Sequence, residues 1–294
     1  MPAPRSEIGT LRMTAATITN AMTIDVEDYF QVSAFAGRID HADWDSLPCR
    51  VEANVDRILS LLDTAGCSAT WFTLGWIAER HPGLVRRIVA AGHELASHGY
   101  DHQRVSAQSP ALFRADVERS KALLEDISGV AVNGYRAPSF SIGGANLWAL
   151  DTLREAGYRY SSSIYPIHHD HYGMPDAPRF AHYPRGAGGL LELPLTTCRL
   201  FAHNLPAAGG GYFRLLPYAF SRWALQRVNA SDRQACIFYF HPWELDPGQP
   251  RQRGIGLKTR FRHYVNLGLM EERVRRLLHD LRWDRIDRVF PPQP

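Results

Sequence analysis

The 294-residue chain lacks any hydrophobic run near the roughly 20 residues that a membrane-spanning helix needs. Residues 1–21 also lack the continuous apolar core of a secretory signal, so the sequence predicts a cytoplasmic protein without a transmembrane segment. Cysteine is scarce, and the four cysteines form no CxxC pair, which argues against a zinc–cysteine cluster or a disulfide framework. No glycine-rich phosphate loop follows a predicted strand, so we do not expect nucleotide binding.

Lysine is nearly absent, because Lys121 and Lys258 are the only two, and arginine supplies most of the positive charge. The whole chain has a net charge of +3, yet residues 251–288 contain 11 Lys+Arg and only 5 Asp+Glu. Such a segment can contact an anionic glycan, a lipid headgroup or nucleic acid, or it can be an ordinary solvated helix face. We expect no nucleic-acid partner and keep a peripheral membrane contact as an open alternative.

Strand-like and helix-like patterns alternate along the chain. Helical periodicity runs from Val51 to Leu62 and ends at Gly66, while Ser109-Pro110 is typical of a helix start. A last, basic amphipathic helix is predicted near residues 269–281. The predicted strands are residues 22–26, 69–74, 93–97, 130–136, 158–164, 190–195 and 235–240. This alternation of about seven strands with helices favours an α/β fold with a parallel sheet, closer to a barrel than to an open sheet.

Polar residues follow several of the predicted strands, at the ends where α/β barrels carry their functional groups. The residues at these ends are Asp25, Glu27, Asp28, His98, His102, Arg136 and His241. Each has a structural alternative: acidic residues at a helix start, hydrogen-bonded core histidines, or an arginine in an ion pair. Because all of them follow strands, a single shared site is the stronger hypothesis.

The residue types at these ends suit one kind of chemistry. His98 and His102 are four apart, which on a helical turn would place both imidazoles on one face. Two histidines and one carboxylate leave open positions on a divalent metal, as in catalytic sites. A second carboxylate can take a proton from a metal-bound water, and a histidine opposite can protonate a leaving group. The set therefore indicates metal-assisted hydrolysis of an amide or ester.

Several motifs occur in an order that is similar to a known family. They are SATWFTLG at 68–75, ERHP at 79–82, GHELASH at 92–98 with His102, Arg136-Ala137-Pro138, and Phe240-His241. Together they resemble the polysaccharide deacetylases with a NodB homology domain, carbohydrate esterase family four, over roughly residues 22–245. Residues 25–30, 165–173 and 260–266 further resemble the branch associated with exosortase-type exopolysaccharide clusters. That branch has a C-terminal region of unknown function and is similar to allantoinases and to a peptidoglycan deacetylase.

The resemblance implies a fold and a domain division. The fold is a distorted (β/α) barrel with about seven strands, carrying a basic helical C-terminal extension. We expect a loose N-terminal tail at 1–20, a NodB-like deacetylase barrel at 21–245 and an extension packed on the barrel at 246–294.

The resemblance also implies a role for each residue. Asp28, His98 and His102 would bind a divalent metal, with Zn²⁺ as the expected ion. Asp25 would be the general base, Arg136 would orient it, and His241 would be the general acid. Val26 and Glu27 separate the two aspartates that are adjacent in the family, so Glu27 stays an alternative metal ligand. The partner of His241 also stays open, since only Glu192 lies near the family's supporting motif.

The function implied is a metal-dependent hydrolase of amide bonds that removes N-acetyl groups from amino sugars of an exopolysaccharide or its precursor. Its partner would be an N-acetylated glycan or glycolipid precursor. One alternative is a small-molecule cyclic amidohydrolase, similar to allantoinases, with the same catalytic groups. Another is a catalytically inactive glycan-binding module. The three histidines of the 165–173 segment, His168, His169 and His171, are expected to lie in a loop over the cleft and not to bind a second metal.

Overall fold

The structure of the chain is a computed structural model that describes residues 18–170 and 172–291. The strands are β1 (Thr19–Val26), β2 (Thr70–Thr73), β3 (Glu94–Ser97), β4 (Gly134–Tyr135), β5 (Tyr160–Ser161), β6 (Leu191–Glu192), β7 (Thr197–Leu200), β8 (His203–Pro206), β9 (Ile237–Phe240) and β10 (Arg282–Asp284). The helices are α1 (Val51–Ala65), α2 (Gly75–Arg80), α3 (Pro82–Ala90), α4 (Pro110–Ser128), α5 (Trp148–Glu155), α6 (Gly210–Leu215), α7 (Tyr218–Arg227), α8 (Leu257–Tyr264), α9 (Leu267–Asp280) and α10 (Ile286–Val289). Of the helices in these ranges, none is long and apolar enough to cross a membrane.

Eight strands form one curled parallel sheet around β1. This strand pairs with β2, β9 and β10, and β2 continues the sheet through β3, β4 and β5 to β6. The segment after β6 contacts β9. The backbone N–H of Ile237, the first residue of β9, donates to Thr196 Oγ1 at 2.7 Å. All seven predicted strands belong to this sheet, so the predicted distorted (β/α) barrel is confirmed.

Local sequence explains how these elements form. Seven of the eight residues of β1 are buried, as expected for a parallel strand covered on both faces. Helix α1 turns Val55, Ile58 and Leu62 to the core and ends at Gly66. The φ of 62° at Gly66 is a left-handed conformation that glycine adopts without strain. Helix α4 begins after Ser109, whose side chain accepts a hydrogen bond from the backbone N–H at position 112.

The C-terminal extension contributes to the sheet itself. Strand β10 pairs with residues 19–21 of β1, and helix α9, which precedes it, packs against α1. Arg285 donates a hydrogen bond to the carbonyl oxygen of Gly92 at 3.0 Å. Sequence analysis missed β10 because three residues are too few to give a periodic pattern. The division at residue 245 stays a prediction, as does the N-terminal tail, of which residues 1–17 lie outside the described residues.

The parallel strands bring their carboxyl ends to one end of the barrel and their amino ends to the other. At the amino end, Glu94 accepts hydrogen bonds from Thr70 Oγ1 at 2.6 Å and from Tyr160 Oη at 2.9 Å. The backbone N–H of Asp287, from the C-terminal extension, also donates to Glu94 at 3.2 Å. Burial, together with the charge of Asp287, raises the pKa of Glu94 to about 7.

Candidate active site

Five predicted site residues meet at the carboxyl end of the barrel. Asp25 lies near the end of β1, Arg136 follows β4, His241 follows β9, and His98 and His102 follow β3. The turn after β3 does not continue into a helix. Instead, His102 has a left-handed φ of 58°, and this returns its side chain towards His98, with 5.3 Å between the ring centroids. The histidine pair therefore forms, although by a different local geometry from the one its spacing suggested.

Glu27, His98 and His102 form a cluster that could hold a metal ion. One ligand atom from each lies within 4.8 Å of the other two. Nδ1 of His98 donates to the carbonyl oxygen of Arg136 at 2.8 Å, which leaves Nε2 for a ligand, the usual arrangement of metal-binding histidines. Burial lowers the pKa of His98 to about 4, so its imidazole is neutral, as a ligand must be.

The carboxylate of Glu27 has the environment of a ligand. Its Oε2 lies 2.8 Å from Nε2 of His102, but no hydrogen bond of good geometry reaches this oxygen within the described part of the chain. Buried carboxylate oxygens are normally satisfied, so this atom fits a divalent cation. Burial alone would raise the pKa of Glu27, but the charges of His102 and His241 outweigh it and lower the pKa to about 2.

Asp28 does not join this cluster. Its Oδ2 accepts hydrogen bonds from the backbone N–H groups of Arg50 at 2.5 Å and Val51 at 2.9 Å, and its Oδ1 accepts from Tyr29 N–H. These bonds hold the carboxylate at the start of α1, and it is not part of the cluster with the two histidines. We therefore replace Asp28 by Glu27 in the candidate ligand set, the alternative that the sequence had left open.

Asp25 and Arg136 form a fully buried ion pair beside the cluster. Nη1 of Arg136 donates to Asp25 Oδ1 at 2.6 Å and to Thr23 Oγ1 at 2.8 Å. The carbonyl and hydroxyl oxygens of Ser162 accept the remaining guanidinium bonds at 3.0 Å each, and the guanidinium stacks 4.0 Å above the Phe72 ring. Arg136 is therefore fixed in place, and it orients the Asp25 carboxylate.

His241 has a carboxylate partner that the sequence did not predict. Its Nδ1 is 3.0 Å from Oε2 of Glu244, and the Oε1 of Glu244 accepts from Arg214 Nε at 2.8 Å. Arg214 also donates to the backbone carbonyls of three residues in the C-terminal extension, at positions 262, 263 and 265. Burial opposes protonation of His241, but Glu27 and Glu244 outweigh it and raise the His241 pKa to about 9. Glu192, the earlier candidate partner, instead accepts from the backbone N–H groups of residues 163 and 164.

Two aromatic side chains form a stack with His241. Trp243 is stacked on His241 with 5.2 Å between centroids, and its Nε1 donates to Glu27 Oε1 at 3.2 Å. On its other face, Trp243 stacks on His263 of the C-terminal extension, with 4.3 Å between centroids and 9° between planes. His263 Nε2 is held by Gln249 Oε1 at 2.7 Å. The extension thus contacts both the histidine and the candidate metal ligand through one indole ring.

One cavity of about 520 Å³ is lined by Asp25, Glu27, His98, His102 and His241. Aromatic residues contribute much of its wall: Phe140, Tyr172, Tyr239 and Trp243. The C-terminal extension adds Thr259, Arg262 and His263. His169 also lines the cavity and stacks on Tyr172 at 3.9 Å, whereas His168 is exposed and His171 lies outside the described residues.

Sequence reasoning missed Glu244, Arg214 and His263. The three-residue spacing of His241 and Glu244 is a visible signal, because a turn after the strand would bring the two side chains together. Arg214 and His263 had no such signal, since each contacts a residue 20 or more positions away in the sequence.

Two family models cover most of the chain. Residues 42–161 match "Polysaccharide deacetylase", and residues 162–291 match "Domain of unknown function (DUF3473)". Asp25 and Glu27 lie before the first model, and His241 lies within the second.

Curated relatives match a part of the chain. A peptidoglycan deacetylase from Helicobacter pylori is 31% identical over 119 residues, which is 40% of this chain and 39% of that protein. A chitooligosaccharide deacetylase from Rhizobium leguminosarum bv. trifolii is 34% identical over 113 residues, 38% of this chain and 48% of that protein. The chain therefore spans less than half the length of the curated relatives it matches.

A solved structure matches the whole fold. This is a crystal structure from Mycobacterium smegmatis, provisionally described as a polysaccharide deacetylase, with a TM-score of 0.59 and 23% identity. The match covers 93% of this chain and 88% of that one, so it supports the barrel together with its extension. The polysaccharide deacetylase model therefore matches the part of the barrel, residues 42–161, that carries His98, His102 and Arg136.

Proposed function

We propose that the chain is a metal-dependent hydrolase that removes N-acetyl groups from amino sugars of an exopolysaccharide or its precursor. One observation carries the proposal: Glu27, His98 and His102 converge in a cavity that also contains the Asp25 carboxylate and the His241 imidazole. Relatives named as peptidoglycan and chitooligosaccharide deacetylases support the reaction type.

A divalent ion such as Zn²⁺, held by Glu27, His98 and His102, would supply a Lewis acid and lower the pKa of a bound water. Asp25 would accept a proton from the attacking water, because its carboxylate lines the cavity and Arg136 holds it in place. His241, 4.0 Å from Asp25 Oδ2 and on the wall of the same cavity, would donate a proton to the departing amine. Glu244 orients the imidazole through Nδ1, so that Nε2 faces the reacting group.

The cavity favours a sugar over a small cyclic amide. Its aromatic rings offer apolar faces to a pyranose, and its volume of about 520 Å³ lies in the ordinary range for ligand sites. Association with an exopolysaccharide rests on the sequence resemblance, and a cytoplasmic location stays an expectation from the sequence.

The test is acetate release from N-acetylglucosamine oligomers. We expect the purified chain to release acetate, a chelator to stop it, and added Zn²⁺ to restore it. His98→Ala should abolish release because it removes a ligand. His279→Ala, which changes an exposed histidine on α9, is the matched control and should retain full activity. Normal turnover by the His98→Ala variant would refute the proposal.

A further inference from the structure

Helix α8 presents different residues on its two sides. Thr259, Arg262 and His263 line the catalytic cavity on the inner side. At about 100° per residue, Leu257 and Phe261 fall on the opposite side, one above the other. Leu257 is 85% exposed and Phe261 is 57% exposed, which is unusual for two large apolar side chains on one helical stripe. We call these two residues the outer face of α8.

Cations surround the outer face of α8. Residues 247–270 contain four arginines and one lysine and no aspartate or glutamate. Lys258, which pairs with exposed Asp170 at 2.9 Å, and Arg260 flank the apolar pair on the helix. Arg251 lies 4.2 Å above the ring of Tyr264 at the end of the helix. The guanidinium of Arg38 approaches the same segment, 3.7 Å from where a Cβ on Gly254 would lie.

We propose that the outer face of α8 docks on the surface of an anionic lipid bilayer. An apolar stripe of leucine and phenylalanine flanked by lysine and arginine is the pattern of helices that lie in the membrane interface. Leu257 and Phe261 enter the boundary between headgroups and acyl chains, while the flanking cations contact anionic headgroups. Two apolar side chains are too small a patch for a stable protein interface, which buries about 800 Å² on each partner.

Docking would place the cavity close to the lipid surface. Only α8 separates the cavity from the outer face, and a helix with its side chains is about 10 Å across. On the proposed function, a glycan attached to a lipid carrier would then be within reach while its carrier remained in the bilayer. The docking itself is independent of that function and can be tested without a substrate.

The test is co-sedimentation of the full chain with vesicles. We expect binding to vesicles of phosphatidylglycerol and phosphatidylcholine, and little binding to phosphatidylcholine alone. The double variant Leu257→Ser/Phe261→Ser should lower the partition constant about tenfold or more, because it removes the buried apolar area. Arg253→Glu/Arg260→Glu should lower it by at least as much, since each lost cation alone accounts for about a fivefold change.

Matched controls exclude a general effect of surface changes. Leu112→Ser changes a leucine that is 62% exposed on α4, and Arg86→Glu changes an exposed arginine on α3. Both should bind as the unmodified chain does, and all variants should keep its melting temperature. Absence of binding to the anionic vesicles would overturn the proposal. An equal decrease of the partition constant in the variants and in the controls would also overturn it. A dimer that Leu257→Ser/Phe261→Ser converts to a monomer would also overturn it, because the face would then join two copies.

Discussion

Replacing Arg214 by methionine should destabilise the chain more than almost any surface change. The Arg214 side chain is 2% exposed, and it pairs with Glu244, which is 1% exposed, at 2.8 Å. It also donates to the carbonyl oxygens of residues 262, 263 and 265 at 3.3, 2.9 and 2.7 Å. Methionine fills most of the volume but leaves the Glu244 carboxylate buried without its cation. Removing one partner of a buried pair costs about 3–5 kcal/mol of unfolding free energy.

Urea unfolding followed by circular dichroism measures this loss. With a slope of about 3 kcal/mol per molar urea, the midpoint should fall by about 1 M or more. Arg222→Met is the matched control, because Arg222 is half exposed and pairs with Asp280 at 3.4 Å. An exposed pair contributes about 0–1 kcal/mol, so the control should unfold close to the unmodified chain. If Arg214→Met lowered the urea midpoint no more than Arg222→Met did, this would refute the argument that Arg214 links the extension to the His241–Glu244 pair.

Two further substitutions test other contacts. Gly210→Ala should lower the unfolding free energy by about 1–3 kcal/mol, because its Cβ would lie 1.9 Å from Oε2 of buried Glu244. Gly211→Ala meets nothing within 4 Å and should be neutral or slightly stabilising; equal urea midpoints for the two would contradict this. Glu94→Gln should change how stability depends on pH, since the folded-state pKa of about 7 lies above the ordinary value of 4.5. The stabilisation from Glu94 is then fully present below about pH 4.5 and is lost as the pH rises through 7. The loss amounts to about 3 kcal/mol of unfolding free energy. The unfolding free energy of the variant should therefore rise relative to that of the unmodified chain between about pH 4.5 and 8. Parallel pH profiles in urea unfolding would rule this out.

The strand ends were the most informative part of the sequence. Asp25, His98, His102, Arg136 and His241 follow apolar strands of a parallel barrel, and parallel pairing alone brings such residues to one end. Their convergence was therefore predictable without knowledge of any side-chain contact. Most of the seven strands were predictable from short apolar runs next to helical segments.

The choice between Glu27 and Asp28 could not be made from the sequence. Both residues follow the last residue of β1, where the alternation of a strand no longer fixes the direction of a side chain. The start of α1 favours Glu27 as the candidate, since the free N–H groups at residues 50 and 51 bond to the Asp28 carboxylate. That contact depends on the path by which a loop of more than 20 residues returns to the sheet. No local sequence pattern predicts this path.

The contacts of the C-terminal extension with the site and with β1 were not predicted, for a related reason. Its basic composition predicted an amphipathic helix, and α9 fits that prediction. Its contacts with the site are long-range: His263 reaches Trp243, and β10 pairs with β1 at the opposite end of the chain. Such pairings are set by tertiary packing and have no signature in spacing.

The metal content of two isosteric variants tests the central claim most directly. Glu27→Gln and Asp28→Asn each remove one negative charge from adjacent residues, and each full chain can be dialysed against limiting Zn²⁺ and measured by mass spectrometry of the metal. Glu27→Gln should lose the ion, because its Oε2 belongs to the cluster with His98 and His102. Asp28→Asn should keep the ion, since asparagine still caps α1. Metal retained by Glu27→Gln and lost from Asp28→Asn would contradict the account.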